Sequence, residues 1–335
     1  MHKKTINRLL RGFAESSSVT QAHPLDLLIA GVSRGSKLFS CGWGEEALLR
    51  DLSTHVSYSD PPAPISLAWH STRKRGRTVR RDGTFASPLL LLPTETRTVH
   101  VRVWVREGNC AACVILAASR DEGYQPREHV FGPLVKRGID LYFLVSPFYG
   151  RRRVPGGPSR ITVSDHGLMA LGMVQEARAL LENLSQRYSK LLVTGYSMGG
   201  HMAAITAAVS PFPVACAALA TGASASTIYT RGLLSWSVDL DGLGGGSHRR
   251  AAARERLGQL FDVADITRYP LPVRVDAAVI AACTRDGYVP SSETQRLHQH
   301  WRGSILRRIP AGHFSALVTH RPALRDCVVE AVGKL

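Results

Sequence analysis

The chain has 335 residues, 44% of them apolar and 20% charged, with 42 Lys and Arg against 26 Asp and Glu for a formal charge of +16. That length can bury one large core or two modest ones, and the composition is that of a folded globular chain, not a disordered one. The longest apolar stretch, Ala203 to Ala220, is Ala-rich and broken by Pro211 and Pro213, so a membrane-crossing helix is excluded while contact with a membrane surface is not.

Residues 1–24 read as a basic tail or presequence. Ile6, Leu9, Leu10 and Phe13 recur at helical spacing, Lys3, Lys4, Arg8 and Arg11 lie between them, and the first acid is Glu15. A basic, Ser-containing, acid-poor amphipathic helix has the form of a mitochondrial transit peptide; the alternative is an ordinary surface helix or a flexible basic end, with a cytoplasmic location. Residues 25–335 then form the domain. Residues 25–56 are predicted helical, with a break at Gly42-Trp43-Gly44. Residues 57–83 are rich in Pro and Arg and are expected to be an exposed connection. They hold the first basic run: Arg73, Lys74, Arg75, Arg77, Arg80 and Arg81.

Strands are predicted at Phe85–Leu92 and, past the turn at Pro93, at His100–Arg106, where Val101, Val103 and Val105 alternate with Arg102, Trp104 and Arg106. Ala112–Ala118 is a buried strand. Cys110 and Cys113 at its start have redox or metal spacing, but no second pair follows, so buried small residues are expected and neither metal nor cofactor is. A short helix at Arg127–Arg137, a strand at Leu141–Val145, the second basic run Arg151–Arg153 and a long helix at Asp165–Tyr188 come next. Leu191–Thr194 is a strand, and the small residues His201–Val209 a helix. Strands at Val214–Ala220, Ala277–Ala282 and Ile305–Ile309 follow. A polar helix lies at Ser292–Trp301, and a helix from Ala316 to Val332 closes the chain. Such alternation predicts an α/β protein with a doubly wound, mostly parallel sheet. Residues 221–270 interrupt it with Gly242-Leu243-Gly244-Gly245-Gly246-Ser247 and a charged helical run carrying Arg249, Arg250, Arg254 and Arg256. An insertion there is where lids sit in this architecture. No zinc finger, helix-turn-helix or RNA-binding signature accompanies the basic runs, so nucleic acid ranks last among anionic partners.

Gly195-Tyr196-Ser197-Met198-Gly199 stands between the strand at 191–194 and the helix at 201–209. Strand, Gly-x-Ser-x-Gly, helix is the form of a nucleophile elbow, in which Ser197 stands clear of the sheet on a strained turn. Gly195 and Gly199 must be small, because side chains there would collide across that turn. The N–H of Met198 would point at a developing oxyanion. A serine nucleophile needs a histidine base held by an acid, and this architecture orders them Ser, acid, His at strand ends. Asp286 follows the strand at 277–282, and His313 stands in Ala311-Gly312-His313-Phe314 after the last strand. Asp276 and Glu293 are weaker candidates for the acid. The loop Ala117-Ala118-Ser119-Arg120-Asp121 should supply the second oxyanion N–H, from Ser119 or Arg120.

Further segments point to one family. Ser197-Met198-Gly199-Gly200-His201-Met202-Ala203, Lys37-Leu38-Phe39 with Gly42-Trp43-Gly44, Gly83-Thr84-Phe85-Ala86-Ser87-Pro88, Ser146-Pro147-Phe148-Tyr149-Gly150, Thr230-Arg231-Gly232-Leu233-Leu234-Ser235, Asp286-Gly287-Tyr288-Val289-Pro290 and Gly312-His313-Phe314-Ser315-Ala316 all occur in this chain. Over residues 25–335 the chain resembles the eukaryotic abhydrolase domain-containing protein eighteen family. The resemblance implies an α/β-hydrolase fold, Ser197, Asp286 and His313 as the triad, and a lipid-directed, mitochondrion-associated deacylase with a cardiolipin-type phospholipid as substrate. The family's Ala-Gly-Thr-Gly-Asp loop is replaced here by Ala117-Ala118-Ser119-Arg120-Asp121.

The expected function is therefore a cofactor-free serine hydrolase of a carboxylic ester of lipid or phospholipid type, with peripheral contact to anionic membrane. The alternative is a catalytically weak or inactive protein of the same fold that binds anionic membrane or a protein partner.

Overall fold

The computed structural model describes residues 21–54, 62, 64–154, 156 and 161–335. The amphipathic segment expected at residues 1–24 lies almost wholly outside them. Among the described residues nine strands form one sheet: β1 (Ala68–Arg75), β2 (Thr78–Ala86), β3 (Thr98–Arg106), β4 (Ala111–Leu116), β5 (Ile139–Leu144), β6 (Lys190–Tyr196), β7 (Ala215–Leu219), β8 (Ala278–Cys283) and β9 (Ile305–Ile309). Their order is β1-β2-β3-β5-β4-β6-β7-β8-β9. The strands from β5 across to β9 are parallel, and β1, β2 and β3 add an antiparallel flank. Every residue of β4, β5, β7 and β8 is buried, as parallel strands covered on both faces require.

The covering layers follow the period-two alternation of the strands. Ala112, Val114 and Leu116 of β4 pack with Met169, Met173 and Leu180, whereas Ala111, Cys113 and Ile115 pack with Phe131, Leu324 and Val328. The first layer holds the helices Val163–Ser185 and Met198–Ala208, and the second holds Gln125–Phe131 and Arg321–Gly333. In chain order the helices are α1 (Pro24–Ser33), α2 (Glu46–Thr54), α3 (Gln125–Phe131), α4 (Val163–Ser185), α5 (Met198–Ala208), α6 (Ala225–Thr230), α7 (Leu240–Gly244), α8 (Arg250–Phe261), α9 (Ser291–His300), α10 (His313–Thr319) and α11 (Arg321–Gly333). α4 begins at a capping box in which Thr162 and Asp165 satisfy each other's backbone N–H.

Four expectations are corrected. Residues 68–86 are not a loose connection but the β1–β2 hairpin, turning at Gly76, and β1 is exposed along its whole length. The strand expected at Phe85–Leu92 ends at Ala86. Pro88 has no N–H to donate to a ladder, and the Arg97 side chain satisfies the carbonyls of Leu90 and Leu92, so the leucine run is a loop with Leu90 and Leu91 exposed. The final helix is two, divided at His320 ahead of Pro322. Of the two cysteines expected to be buried, Cys113 is and Cys110 is exposed.

Between β7 and β8 the chain makes a run of short helices, α6 to α8 with 3-10 turns among them. This excursion packs its own cluster: Tyr229, Leu257 and Phe261 meet Phe39, Leu49 and Val163. Beneath the leucine loop, Arg152 and Glu176 form a fully buried ion pair, with Ser87 donating to the same carboxylate. Among the described residues no helix is long and apolar enough to cross a membrane.

Candidate active site

Ser197 sits between β6 and α5 with φ 56° and ψ −120°, a conformation rare outside glycine. The flanking glycines are required by contact. A Cβ on Gly195 would lie 2.3 Å from the Gly199 backbone carbon, and one on Gly199 would lie 2.5 Å from the Leu116 carbonyl oxygen of β4. Gly200 is as constrained, since a Cβ there would lie 2.7 Å from the Leu219 carbonyl oxygen. The turn is fixed further by the Ser197 N–H donating to Leu219 O at 2.9 Å. Met198 opens α5, so its N–H is among those with no partner inside the helix.

Asp286 and His313 meet. His313 Nδ1 donates to Asp286 Oδ2 at 2.7 Å, and both side chains are buried. Asp286 Oδ1 accepts the N–H groups of Tyr288 and Val289, so one carboxylate both shapes the turn after β8 and orients the imidazole. Burial opposes charge on His313, but the charge and hydrogen bond of Asp286 and the charge of Asp26 outweigh it and raise the imidazole above its ordinary pKa. Tyr288 stacks on the ring at 5.1 Å, and Tyr196, next to Ser197, packs on it at 5.2 Å and donates its hydroxyl to the His313 carbonyl. Ser197, Asp286 and His313 thus follow the carboxyl ends of β6, β8 and β9 on one edge of the sheet. Among the described residues no hydrogen bond joins His313 Nε2 to Ser197 Oγ. Such contacts commonly tighten only when substrate binds.

The other acids lie elsewhere. Asp276 is exposed and paired with Arg274, and Glu293 bonds the Ser224 N–H, Thr227 and Arg296. In the loop after β4, the Arg120 N–H, one of the two expected oxyanion donors, is taken by the Tyr149 hydroxyl at 3.1 Å, while Ser119, the other, lines both cavities of the site. Arg120 has φ 66°, so the side chain occupies a left-handed position that glycine fills without strain.

Two cavities meet at Ser119, His166 and Tyr229. The first is apolar, about 100 Å³, and is lined by Ser197 together with Leu52, Ala170, Met202, Ile205 and Phe261 among others. The second, about 420 Å³, is polar and bears Lys37, Arg120, Arg153 and Glu122. His166, from α4, is buried against Phe39, Tyr229 and Phe261, and burial pushes its pKa down to about 4. It shares a hydrogen bond with the Tyr229 hydroxyl at 3.1 Å. His201, one turn past Ser197, lies between Gly222 O (3.1 Å from Nδ1) and Ala264 O (2.6 Å from Nε2) at the two ends of the inserted helices, and its neutral ring donates one N–H there.

Sequence reasoning missed Asp26, His166 and the role of Tyr149. Asp26, on α1, is buried and accepts the N–H groups of Gly287, His313 and Phe314. An acid in the first turn of a predicted helix was its only local mark, and that mark signals a helix start, not a site.

The model of the family described as alpha/beta hydrolase domain containing 18 matches residues 36–247 and 244–334. Among solved structures, acetyl xylan esterase 1 from Thermoanaerobacterium sp. JW/SL YS485 is 14% identical with a TM-score of 0.55, over 91% of this chain and 99% of that one. The acetyl xylan esterase from Paenibacillus sp. R4 is 15% identical with a TM-score of 0.56, over 87% of this chain and 98% of that one. These likenesses place the nine-stranded sheet and its helices in the α/β-hydrolase fold.

Proposed function

The chain belongs to the alpha/beta hydrolase domain containing 18 family, and from that premise we propose that it is a serine hydrolase of carboxylic esters. The observation that carries this reading is the 2.7 Å bond from His313 Nδ1 to Asp286 on the same sheet edge as the strained Ser197 elbow. Ser197 Oγ attacks the acyl carbon while His313 Nε2 takes its proton. The N–H groups of Met198 and Ser119 receive the oxyanion. The bond to the alkoxide then breaks, His313 protonates the alkoxide so that it leaves as an alcohol, and the acyl group remains on Ser197 Oγ. Water attacks that ester, giving its proton to His313. Collapse returns the proton to Ser197 and releases the carboxylic acid.

The substrate we infer is an ester of lipid or phospholipid type. The apolar lining beside Ser197 supports an aliphatic acyl group, and Lys37 and Arg120 in the second cavity support an anionic group on the alcohol side, Arg153 there being paired with Glu122. At about 100 Å³ the apolar cavity is smaller than a ~150 Å³ cavity that admits benzene. A short acyl group therefore fills this cavity, and a longer one extends beyond it.

The test is a fluorophosphonate probe on the full chain beside Ser197→Ala and His313→Ala, followed by p-nitrophenyl esters from acetate to laurate. Labelling lost in both variants and a preference for longer chains support the reading. Labelling with preference for acetate keeps the hydrolase and removes the lipid. A folded wild type that never labels favours the second reading, a catalytically silent protein binding anionic membrane or a partner, for which the occupied Arg120 N–H is the specific observation.

A further inference from the structure

α1 precedes the segment matched by the family model, yet it reaches into the site. Its Asp26 side chain is fully buried and accepts three backbone N–H groups: His313 at 2.7 Å, Phe314 at 3.0 Å and Gly287 at 3.2 Å. All are donors, the acceptor-only pattern of an ionised carboxylate, and no ion pair neutralises it among the described residues. His313 and Phe314 open α10, so two of that helix's unpaired N–H groups are satisfied by a carboxylate from 287 and 288 residues away. Gly287 belongs to the turn that Asp286 shapes. One carboxylate thus fastens the base and the acid to each other through their backbones.

The surroundings are built for that approach. A Cβ on Gly312 would stand 2.8 Å from Asp26 Oδ2 and 2.4 Å from the His23 Cβ, so a glycine before His313 is what lets α1 come this close. The His23 N–H donates to Arg285 O at 2.9 Å, one residue before Asp286. Ala22 and Ala30 pack with Leu233, Trp236 and Tyr288, which seats α1 on the site's flank.

We propose that Asp26 is a positioning residue for His313, holding the His313 and Asp286 loops in register and setting a second negative charge beside the imidazole. The inference rests on the hydrolase reading for its consequence, but not for its measurement. The titratable groups facing His313 are Asp286 on the turn after β8, Asp26 on α1, Tyr196 on β6 and Tyr288, with Cys283 at the end of β8 nearby. Burial holds Tyr196 and Tyr288 well above the ordinary phenol range and pushes Cys283 up to about 12, so these three stay neutral. The two carboxylates are the charges that act on the ring.

The experiment is an NMR titration of the His313 ring in the full chain, assigned by its loss in His313→Asn, and repeated in Asp26→Asn and Asp26→Glu. Asp26→Asn keeps an acceptor oxygen and removes the charge. The expected result is a lower His313 midpoint, by at least half a pH unit. The acid limb of fluorophosphonate labelling shifts down with it, and the plateau rate falls tenfold or more. Asp26→Glu keeps the charge and displaces it, so the midpoint stays raised while the labelling rate falls. A folded Asp26→Asn with an unmoved midpoint overturns the proposal. If Asp26→Asn does not fold, Asp26→Ser at the same position takes its place under the same criterion. A wild type that never labels refutes the hydrolase reading instead, and the titration still decides the part played by Asp26.

Discussion

The backbone at Ser197 gives a stability prediction independent of any substrate. At φ 56° and ψ −120° a side chain is strained, whereas glycine is not. Such positions cost on the order of 1–3 kcal/mol. Replacing Ala by Gly at an ordinary position costs about 0.5–1 kcal/mol through the entropy of the unfolded chain. Ser197→Ala removes the hydroxyl and keeps Cβ, so it keeps the strain. Ser197→Gly removes both. The Gly variant should therefore be more stable than the Ala variant by about 0.5–2 kcal/mol, reversing the usual order. Urea unfolding of the two purified proteins reads this directly as a midpoint higher by a few tenths of a molar for Gly at an m-value of about 3 kcal/mol per molar. Neither should react with a fluorophosphonate. A Gly variant less stable than the Ala variant by the ordinary ~0.5–1 kcal/mol would mean that the elbow is unstrained.

Gly199→Ala should abolish labelling and destabilise the fold by several kcal/mol, because its Cβ meets the Leu116 carbonyl oxygen at 2.5 Å and β4 is buried on both faces; a soluble variant labelling at the wild-type rate contradicts the packing. Glu176→Ala strands the Arg152 guanidinium without a counter-charge and should cost about 3–5 kcal/mol in chemical denaturation, whereas replacing both by Met and Leu should cost much less. His166 has its native pKa pushed down to about 4, so the unfolded chain binds more protons between there and about 6.5. Its contribution is present above that window and lost as pH falls through it, worth roughly 3 kcal/mol, and His166→Phe should flatten that part of the stability-against-pH curve. An unchanged acid slope in that variant would place the acid sensitivity elsewhere.

What was legible in the sequence was local or periodic. The elbow needs five residues and a strand before it. The apolar runs at 112–118, 141–145 and 277–282 could be little else than covered parallel strands, and β4, β5 and β8 lie there. Asp286 and His313 were legible because this architecture places such residues just past strand ends. Charge hid β1 and β2: Arg73, Lys74, Arg80 and Arg81 leave no apolar alternation, and β1 has no buried face to require one. Apolar composition misled at residues 89–92, where Pro88, Pro93 and the Arg97 guanidinium turn a leucine run into a loop. Pro322 divides the last helix, although the periodicity of residues 316–332 runs straight through it. Asp26 was invisible for a different reason. Its partners are nearly the whole chain away, and a carboxylate bonded to backbone N–H groups selects no particular side chain in return.

The basic runs, read together in the sequence as one excess of charge, separate in space. Thr78 pairs with Arg106, and the Arg106 N–H donates to Asp140 at the start of β5, so the hairpin turn at Gly76 lies at the amino ends of the parallel strands. Ser197, Asp286 and His313 lie at the carboxyl ends. Of the second run, Arg152 is buried on Glu176 and Arg153 is paired with Glu122. In the third, Arg250 is paired with Asp241, and Arg256 with Glu46 while lying over Trp43. The hairpin charges also have a role that needs no partner, since β1 is a sheet edge and charge on an exposed edge deters strand addition. An anionic surface gripped by the hairpin tip would face the end of the sheet opposite Ser197. The charge of that run is therefore separated from Ser197, Asp286 and His313 by the length of the sheet. The cations nearest the site are Lys37, Arg120 and Arg153, which line the cavity beside Ser119 together with Glu122, the partner of Arg153.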